Sequence, residues 1–221
     1  MRRLAIVLAA AAFLAAATGA SATVFLQEGF EAGAPGWEAY GQVEGQELSL
    51  WHIDDYRVFS GDYAAAYNTG AANYNYDVGW NFGILMSPWI DLSGTPTAYM
   101  DFKSWLETEN QPLHLFDDAH VVVKPGSGNW VPLFPDIQWF KQGQWIDIRA
   151  DLNPFAGYGP VRVGFYFDTV DHQYNDYEGW YVDNIRVHDD QCTPVPEPST
   201  WLLLSTGLIG VGAYARRRFL G

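Results

Sequence analysis

Cysteine is almost absent. The single Cys192 in 221 residues excludes an internal disulfide and any cysteine-based zinc site. Positive charge is also scarce: 12 Lys and Arg face 26 Asp and Glu, for a formal charge of −14. Five of those cations (Arg2, Arg3, Arg216, Arg217 and Arg218) sit at the two ends of the chain. Setting them and Glu197 aside leaves seven cations against 25 carboxylates, a net of −18. A body that acidic repels phosphate backbones, which excludes nucleic acid as a partner. It suits divalent cations, or solubility outside a cell. Charged residues make up only 17% of the chain while aromatics reach 16%, which argues against disorder and coiled coil. Catalytic signatures are missing as well: there is no H-E-x-x-H, no G-x-S-x-G and no phosphate loop. The histidines (52, 114, 120, 172 and 188) are scattered, and Asp117-Asp118 with His120 would need a nucleophile or metal placed by the fold to act as acid and base. No catalytic residue is assigned. The rival reading, a hydrolase acting on extracellular polysaccharide, needs two carboxylates at a fixed separation.

What is present begins with the two ends. Arg2 and Arg3, the apolar run Leu4–Ala17 and the small-residue site Ala20-Ser21-Ala22 read as a secretory signal over residues 1–22, which signal peptidase removes to leave a mature start near Thr23. At the other end, a linker over 191–200 carries Val195-Pro196-Glu197-Pro198-Ser199-Thr200. An apolar segment over 201–215 and a basic tail over 216–221 with Arg216-Arg217-Arg218 follow. The prolines cannot continue a helix and stop it before the apolar segment. Trp201 to Tyr214 at ~1.5 Å per residue covers ~21 Å of a ~30 Å hydrocarbon core, a short transmembrane helix that snorkelling arginines help to fit. The arginines stay cytoplasmic, so the body lies on the outer side.

That ordered tail resembles the PEP-CTERM sorting signal of Gram-negative bacteria, which also goes under the label ice-binding-protein C-terminal domain without implying any contact with ice. The resemblance implies export across the inner membrane, recognition by an exosortase near the Pro-Glu-Pro, and delivery to the cell surface or extracellular matrix. A permanent single-span anchor would present the same outward-facing body. Cys192, just before the sorting motif, reads as a free tether residue without a neighbouring cation to activate it.

Between the two ends no helical apolar spacing persists. Val161-Arg-Val-Gly-Phe-Tyr-Phe167 puts Val161, Val163, Phe165 and Phe167 on one side and Arg162 and Tyr166 on the other. Thr97–Trp105 alternates likewise, and 23–30, 48–53, 63–67, 80–86, 119–124, 129–133, 144–149 and 179–187 are further candidates. Turn chemistry agrees at Leu92-Ser-Gly-Thr-Pro96 and at Lys124-Pro-Gly-Ser-Gly128, a hairpin connection. About ten short strands predict an all-β, two-sheet antiparallel sandwich over 23–190, flanked by the signal helix and one transmembrane helix.

Along that body, Glu28-Gly-Phe-Glu31, Gly36-Trp37, Ser60-Gly-Asp-Tyr-Ala64, Leu85–Leu92, Asp151-Leu152, Phe155-Ala-Gly157 and Glu178–Val187 occur in order. The series resembles the MAM-like jelly rolls of bacterial surface proteins, of the choice-of-anchor and cleaved-adhesin type. It lacks the paired cysteines of animal MAM domains, which weakens any link to their homophilic adhesion. The resemblance implies a domain that binds or displays, usually without catalysis and often with structural calcium. Simple alternation puts Asp183 in a row with Tyr181, Ile185 and Val187, and a buried carboxylate there needs a cation, strong hydrogen bonds or a bulge. By position the resemblance gives Glu31 and Asp183 as calcium ligands, with Asp62 or carbonyls of Ser60-Gly61-Asp62 added. The alternative is that Asp183 caps backbone amides and Glu31 is solvated. A second acidic run, Asp168 to Glu178, reads as a solvated loop or a further ion site.

Aromatic rings and amides together suit sugars, whose apolar faces stack and whose hydroxyls bond. The segment Asn73–Trp80 is the candidate glycan contact, through Tyr74, Tyr76 and Trp80, toward an exopolysaccharide or a surface protein. Trp51, Trp105, Trp130, Trp145 and Trp180 fall on expected strands and read as packing.

Overall fold

A computed structural model describes residues 22–109, 116–133 and 141–189. The expected signal segment before residue 22, the Pro-Glu-Pro linker, the apolar segment over 201–215, the arginine cluster, His114 and Cys192 lie outside the described residues. Among the described residues no helix is long and apolar enough to cross a membrane. Thirteen strands are found there, in chain order β1 (Val24–Glu28), β2 (Glu38–Val43), β3 (Gln46–Glu47), β4 (Trp51–Asp54), β5 (Ala64–Tyr67), β6 (Asn81–Met86), β7 (Ile90–Asp91), β8 (Tyr99–Glu107), β9 (Asp118–Pro125), β10 (Val131–Pro132), β11 (Ile146–Asp151), β12 (Pro160–Asp168) and β13 (Gly179–His188). They form two antiparallel sheets. One runs β11-β8-β13-β5-β4, with β1 also on β13; the other runs β10-β9-β12-β6-β2-β3, with β7 on β12.

The alternation on β12 is as expected: Val161, Val163, Phe165 and Phe167 enter the core, and Arg162 and Tyr166 face out. Phe165 is the hub of the interior. Its ring lies 5.2 Å from Phe102, 5.5 Å from Trp180 and 6.5 Å from Trp51, in tilted or edge-on arrangements, the geometry that the ring quadrupole favours. All ten anticipated segments contain strands. Three strands were not anticipated: β2, β3 and β7. The side of β2 opposite Tyr40 carries Ala39, Gly41 and Val43, residues too small to register as an apolar stripe, with Gly41 buried and Val43 half-buried. It is small of necessity, because a Cβ on Gly41 would fall 2.5 Å from the Phe82 carbonyl oxygen.

The last strand corrects the sequence reading. Trp180 and Val182 point into the core, while Tyr181 packs on the opposite side with Ala66 and Trp105. Asn184 then adopts φ 50°, and the register with β8 slips between Asp183 and Arg186. Beyond the slip Ile185 and Val187 return to the core. The single row Tyr181–Asp183–Ile185–Val187 therefore does not exist. A bulge inverts the phase, and Asp183 sits on the outer side of the sheet just before the strand changes neighbour from β5 to β1.

Candidate functional site

The outer side of the sheet containing β13 is closed by the connection 55–63 between β4 and β5. Arg57 lays its guanidinium 3.8 Å from the centre of the Trp105 ring and bonds Glu178 through Nε and Nη2 at 2.7 and 2.8 Å. Phe59 meets Trp145 edge-on at 5.8 Å. Trp105 and Tyr181 consequently stay buried although they face away from the core. Asp183, also buried, accepts backbone N–H groups from Phe59 (3.1 Å) and Ser60 (3.0 Å) on Oδ2 and from Asn184 (2.6 Å) on Oδ1. Burial and the neighbouring Glu31 carboxylate push its pKa up, and those three amides oppose the rise.

Glu31 reaches the same loop. Phe30, at φ 63°, turns the chain so that its own ring is buried against Trp37 and Glu31 faces outward. The Glu31 carboxylate accepts the N–H of Asp62 (3.0 and 3.1 Å) and of Tyr63 (3.3 Å). Gly61 permits this approach: at φ 81°, a Cβ would fall 2.0 Å from Glu31 Oε1. Glu31, the 60–62 loop and Asp183 are thus brought together, and both carboxylates receive backbone amides. Asp62 contributes its N–H, while its side chain is exposed. Among the described residues no group of three or more His, Cys, Asp or Glu is placed to hold a metal. The groups that could hold a cation here are the Glu31 and Asp183 carboxylates, whose oxygens keep acceptor capacity beyond their amide bonds.

The acidic run 168–178 folds onto itself and its neighbours. Asp168 accepts Val170 N–H at 2.8 Å, Asp171 accepts Gln173 N–H at 2.7 Å, and Asp176 accepts Asn75 Nδ2 at 2.6 Å.

The outer side of the other sheet has a different character. Strand registers place Gln42, Phe82, Asp168 and Asp118 in one row across β2, β6, β12 and β9. Tyr40, Ile84, Tyr166 and His120 form the next row, then Glu38, Met86, Gly164 and Val122, with Arg162 beside Lys124 beyond. Phe82 is the centre of a ring cluster, 6.2 Å from Tyr40, 5.7 Å from Trp80 and 6.3 Å from Tyr166. Across Gly164 stands Trp130, and a Cβ on that glycine would meet Ile84, Val122 and Trp130 side chains at 2.9–3.1 Å, so these three side chains close over the buried glycine. Polar groups border the rings. Tyr166 donates its hydroxyl to Asp168 (2.7 Å), and Gln42 Nε2 donates to the Tyr40 hydroxyl (3.2 Å). Glu44 accepts the Trp80 N–H at 2.7 Å, and Arg162 is held by Glu38 and the Ser87 carbonyl. Tyr40 is 43% exposed and Trp89, beside Arg162, 49%.

The three expected glycan residues separate. Trp80 belongs to this ring cluster. Tyr74 stacks on Tyr56 of the closing loop, ring centres 3.9 Å apart. Tyr76 is fully buried, its ring 5.0 Å from Phe167 and its hydroxyl donated to Asp117, so it is removed from any surface contact. The pKa of Asp117, which Thr108 also bonds, is raised to about 7, chiefly by burial, and its Oδ1 is buried without a hydrogen-bond partner among the described residues. Strand alternation parts Asp117, inside, from Asp118 and His120, outside, so the conceivable acid–base cluster is not assembled. The sequence reading missed Tyr40, Phe82 and Trp130. Tyr166 was already legible as outward-facing.

Comparison with known proteins adds two findings. Residues 194–218 match the PEP-CTERM protein-sorting motif. The chain is therefore marked as an exported protein sorted by an exosortase, with membrane-anchored delivery to the cell surface. No curated protein matches. Among solved structures, the body is similar to the carbohydrate-binding module TmCBM61 in complex with β-1,4-galactotriose (TM-score 0.52, 13% identity, 76% of this chain and 99% of that one). Others are the K3 cleaved adhesin domain of Lys-gingipain from Porphyromonas gingivalis W83 (0.48, 16%, 75% and 98%) and the CBM22-1 xylan-binding domain of Paenibacillus barcinonensis Xyn10C (0.44, 11%, 76% and 96%). At these identities the likeness is one of fold: a jelly-roll β-sandwich.

Proposed function

We propose that this is an exosortase-sorted protein of the cell surface or extracellular matrix whose sandwich body binds polysaccharide without cleaving it. The observation that carries the reading is the ring cluster Tyr40–Trp80–Phe82–Tyr166, with Tyr40 exposed and the other three half-buried, on a sheet face bordered by hydroxyl-bonding groups. Pyranose rings present apolar faces and equatorial hydroxyls, the complement of that surface. The likeness to TmCBM61 supports the scaffold only. The test is retention of the purified protein on the exopolysaccharide of its own producing cells, compared with a Tyr40→Ala/Trp80→Ala variant. Retention that survives the double substitution overturns the reading. Release of reducing ends on incubation would favour the hydrolase instead.

A structural role for calcium is a second reading, favoured by two like-charged carboxylates meeting at one loop. Glu31 and Asp183 would hold the ion with carbonyls of 60–62, tying the β1 end to β13. Specific binding must stabilise the folded state, so a melting temperature unchanged by chelator removes the ion. For the tail, mass spectrometry of surface-released protein should find a new C-terminus near Pro196–Pro198; an intact tail favours a permanent anchor.

A further inference from the structure

The ring band does not run along a strand. From Trp130 it passes over Gly164 and Tyr166 of β12 to Phe82 of β6 and Tyr40 of β2, so it crosses the sheet from the β10 side to β2. That path covers four strand spacings, about 19 Å. Its two long edges differ in charge. Along one lie Asp118 and Asp168, with Glu44 beside Trp80. Along the other, Arg162 is engaged by Glu38, and Lys124 stands 6.0 Å from the Trp130 ring centre. Four carboxylates thus meet two cations, one of which is already paired, on a body whose net charge is −18.

Resting on the polysaccharide reading of this same face, we infer that its ligand is an uncharged pyranose chain lying across the strands, with ring faces on the band and hydroxyls donating to Asp118 and Asp168. The two carboxylates serve in opposite ways for the two classes of glycan. To a neutral chain they are charge-assisted acceptors of hydroxyl protons. To a uronate chain they are like charges a few ångströms away, well inside the ~8 Å screening length at physiological salt. Selectivity for neutral glycans then comes from a repulsive element built into the binding edge. Tyr166 fixes the Asp168 carboxylate by its own hydroxyl bond, so this acceptor is preset toward the band.

The test is affinity electrophoresis of the purified protein in gels cast with β-1,4-galactan or xylan, as neutral chains, and with polygalacturonate or alginate, as charged ones. Retardation by a neutral chain, at least tenfold stronger than by either uronate chain, is expected. Asp118→Asn/Asp168→Asn should weaken the neutral interaction and narrow that gap. Should the double variant fold poorly, Asp118→Asn alone, which leaves the Tyr166 hydroxyl bond intact, is expected to act in the same direction. Equal retardation by galactan and polygalacturonate, both lost in Tyr40→Ala/Trp80→Ala, would overturn the neutral-chain inference and leave the binding face standing. Retardation by no chain, or retardation untouched by Tyr40→Ala/Trp80→Ala, would overturn the face itself.

Discussion

The two outer faces of this sandwich carry similar residues and meet opposite fates. Both gather tryptophan, tyrosine and phenylalanine from β-strands and the loops that flank them. On the β13 side, nine residues between β4 and β5 fold over the rings, with Arg57 stacked on Trp105 and anchored by Glu178, and the face becomes a second small core. On the β12 side, Tyr40, Trp80, Phe82 and Tyr166 gather as closely, yet Tyr40 stays exposed. Aromatic content alone therefore does not separate packing from binding; what decides is whether the chain supplies its own cover. The comparison breaks most sharply at Asp183. Replacing it with alanine strands three backbone N–H groups and should cost roughly 3 kcal/mol. Urea denaturation measures this, and polysaccharide affinity should not change. A loss below 1 kcal/mol would mean that the loop is not fastened where these bonds place it.

A buried acid between the faces gives the next effect. Asp117 has its pKa raised to about 7 by burial, so the folded chain holds that proton more tightly than the unfolded one. The stabilisation is complete below about pH 4 and is lost as pH rises through about 7. Raising pH from 5 to 8 should thus remove about 2 kcal/mol, after discounting the full shift for partial solvation. Asp183, also raised, acts with the same sign. In Asp117→Asn the slope should flatten; an unchanged slope assigns it elsewhere.

The strands were readable from the sequence because alternation of apolar and polar residues is a local signal. Val161–Phe167 announces its two faces without help, and Tyr166 is outward on that ground alone. β2 was not readable, because the side opposite Tyr40 is Ala, Gly and Val and Gly41 must admit the Phe82 backbone. The bulge at Asn184 was hidden for a similar reason: nothing local in Val-Asp-Asn-Ile specifies that the phase inverts there, and only pairing with β8, β5 and β1 reveals it. Glu31 and Asp183 could be paired in advance only through the resemblance to MAM-like jelly rolls, which the order of motifs carries. The ring cluster could not, since Tyr40, Phe82 and Tyr166 belong to three strands whose neighbourhood is a property of topology. Tyr76 shows the converse, a tyrosine in a polar segment that the fold draws inside.

Removing rings from the open face should separate binding from stability. Tyr40→Ala/Trp80→Ala is expected to lower polysaccharide affinity about tenfold, each ring being worth about 0.5–1.5 kcal/mol, while denaturation midpoints move little because water already reaches both side chains. A large loss of stability would show that this face too is a packed layer, and would erase the distinction between the two sides.

The mildest perturbation tests the packing over Gly164. A methyl group there would press on Ile84, Val122 and Trp130 at 2.9–3.1 Å. All three are side-chain atoms and the nearest is the terminal methyl of Ile84, but Ile84 and Val122 are buried, so the crowding should cost about 1 kcal/mol. Replacing glycine by alanine in a strand returns about 0.4–1 kcal/mol through the unfolded chain where the backbone is compatible. Gly164 is not among the positions with positive φ, so that gain applies. Gly164→Ala should therefore melt within a few degrees of the parent chain, by the usual scaling of ~4 °C per kcal/mol, and weaken polysaccharide binding roughly two- to fivefold by pushing the Trp130 ring out of line with Tyr166. A clear drop in melting temperature would mean that Trp130 is locked in place by packing. An unchanged affinity would mean that the ligand path stops short of Trp130, confining the band to β12, β6 and β2.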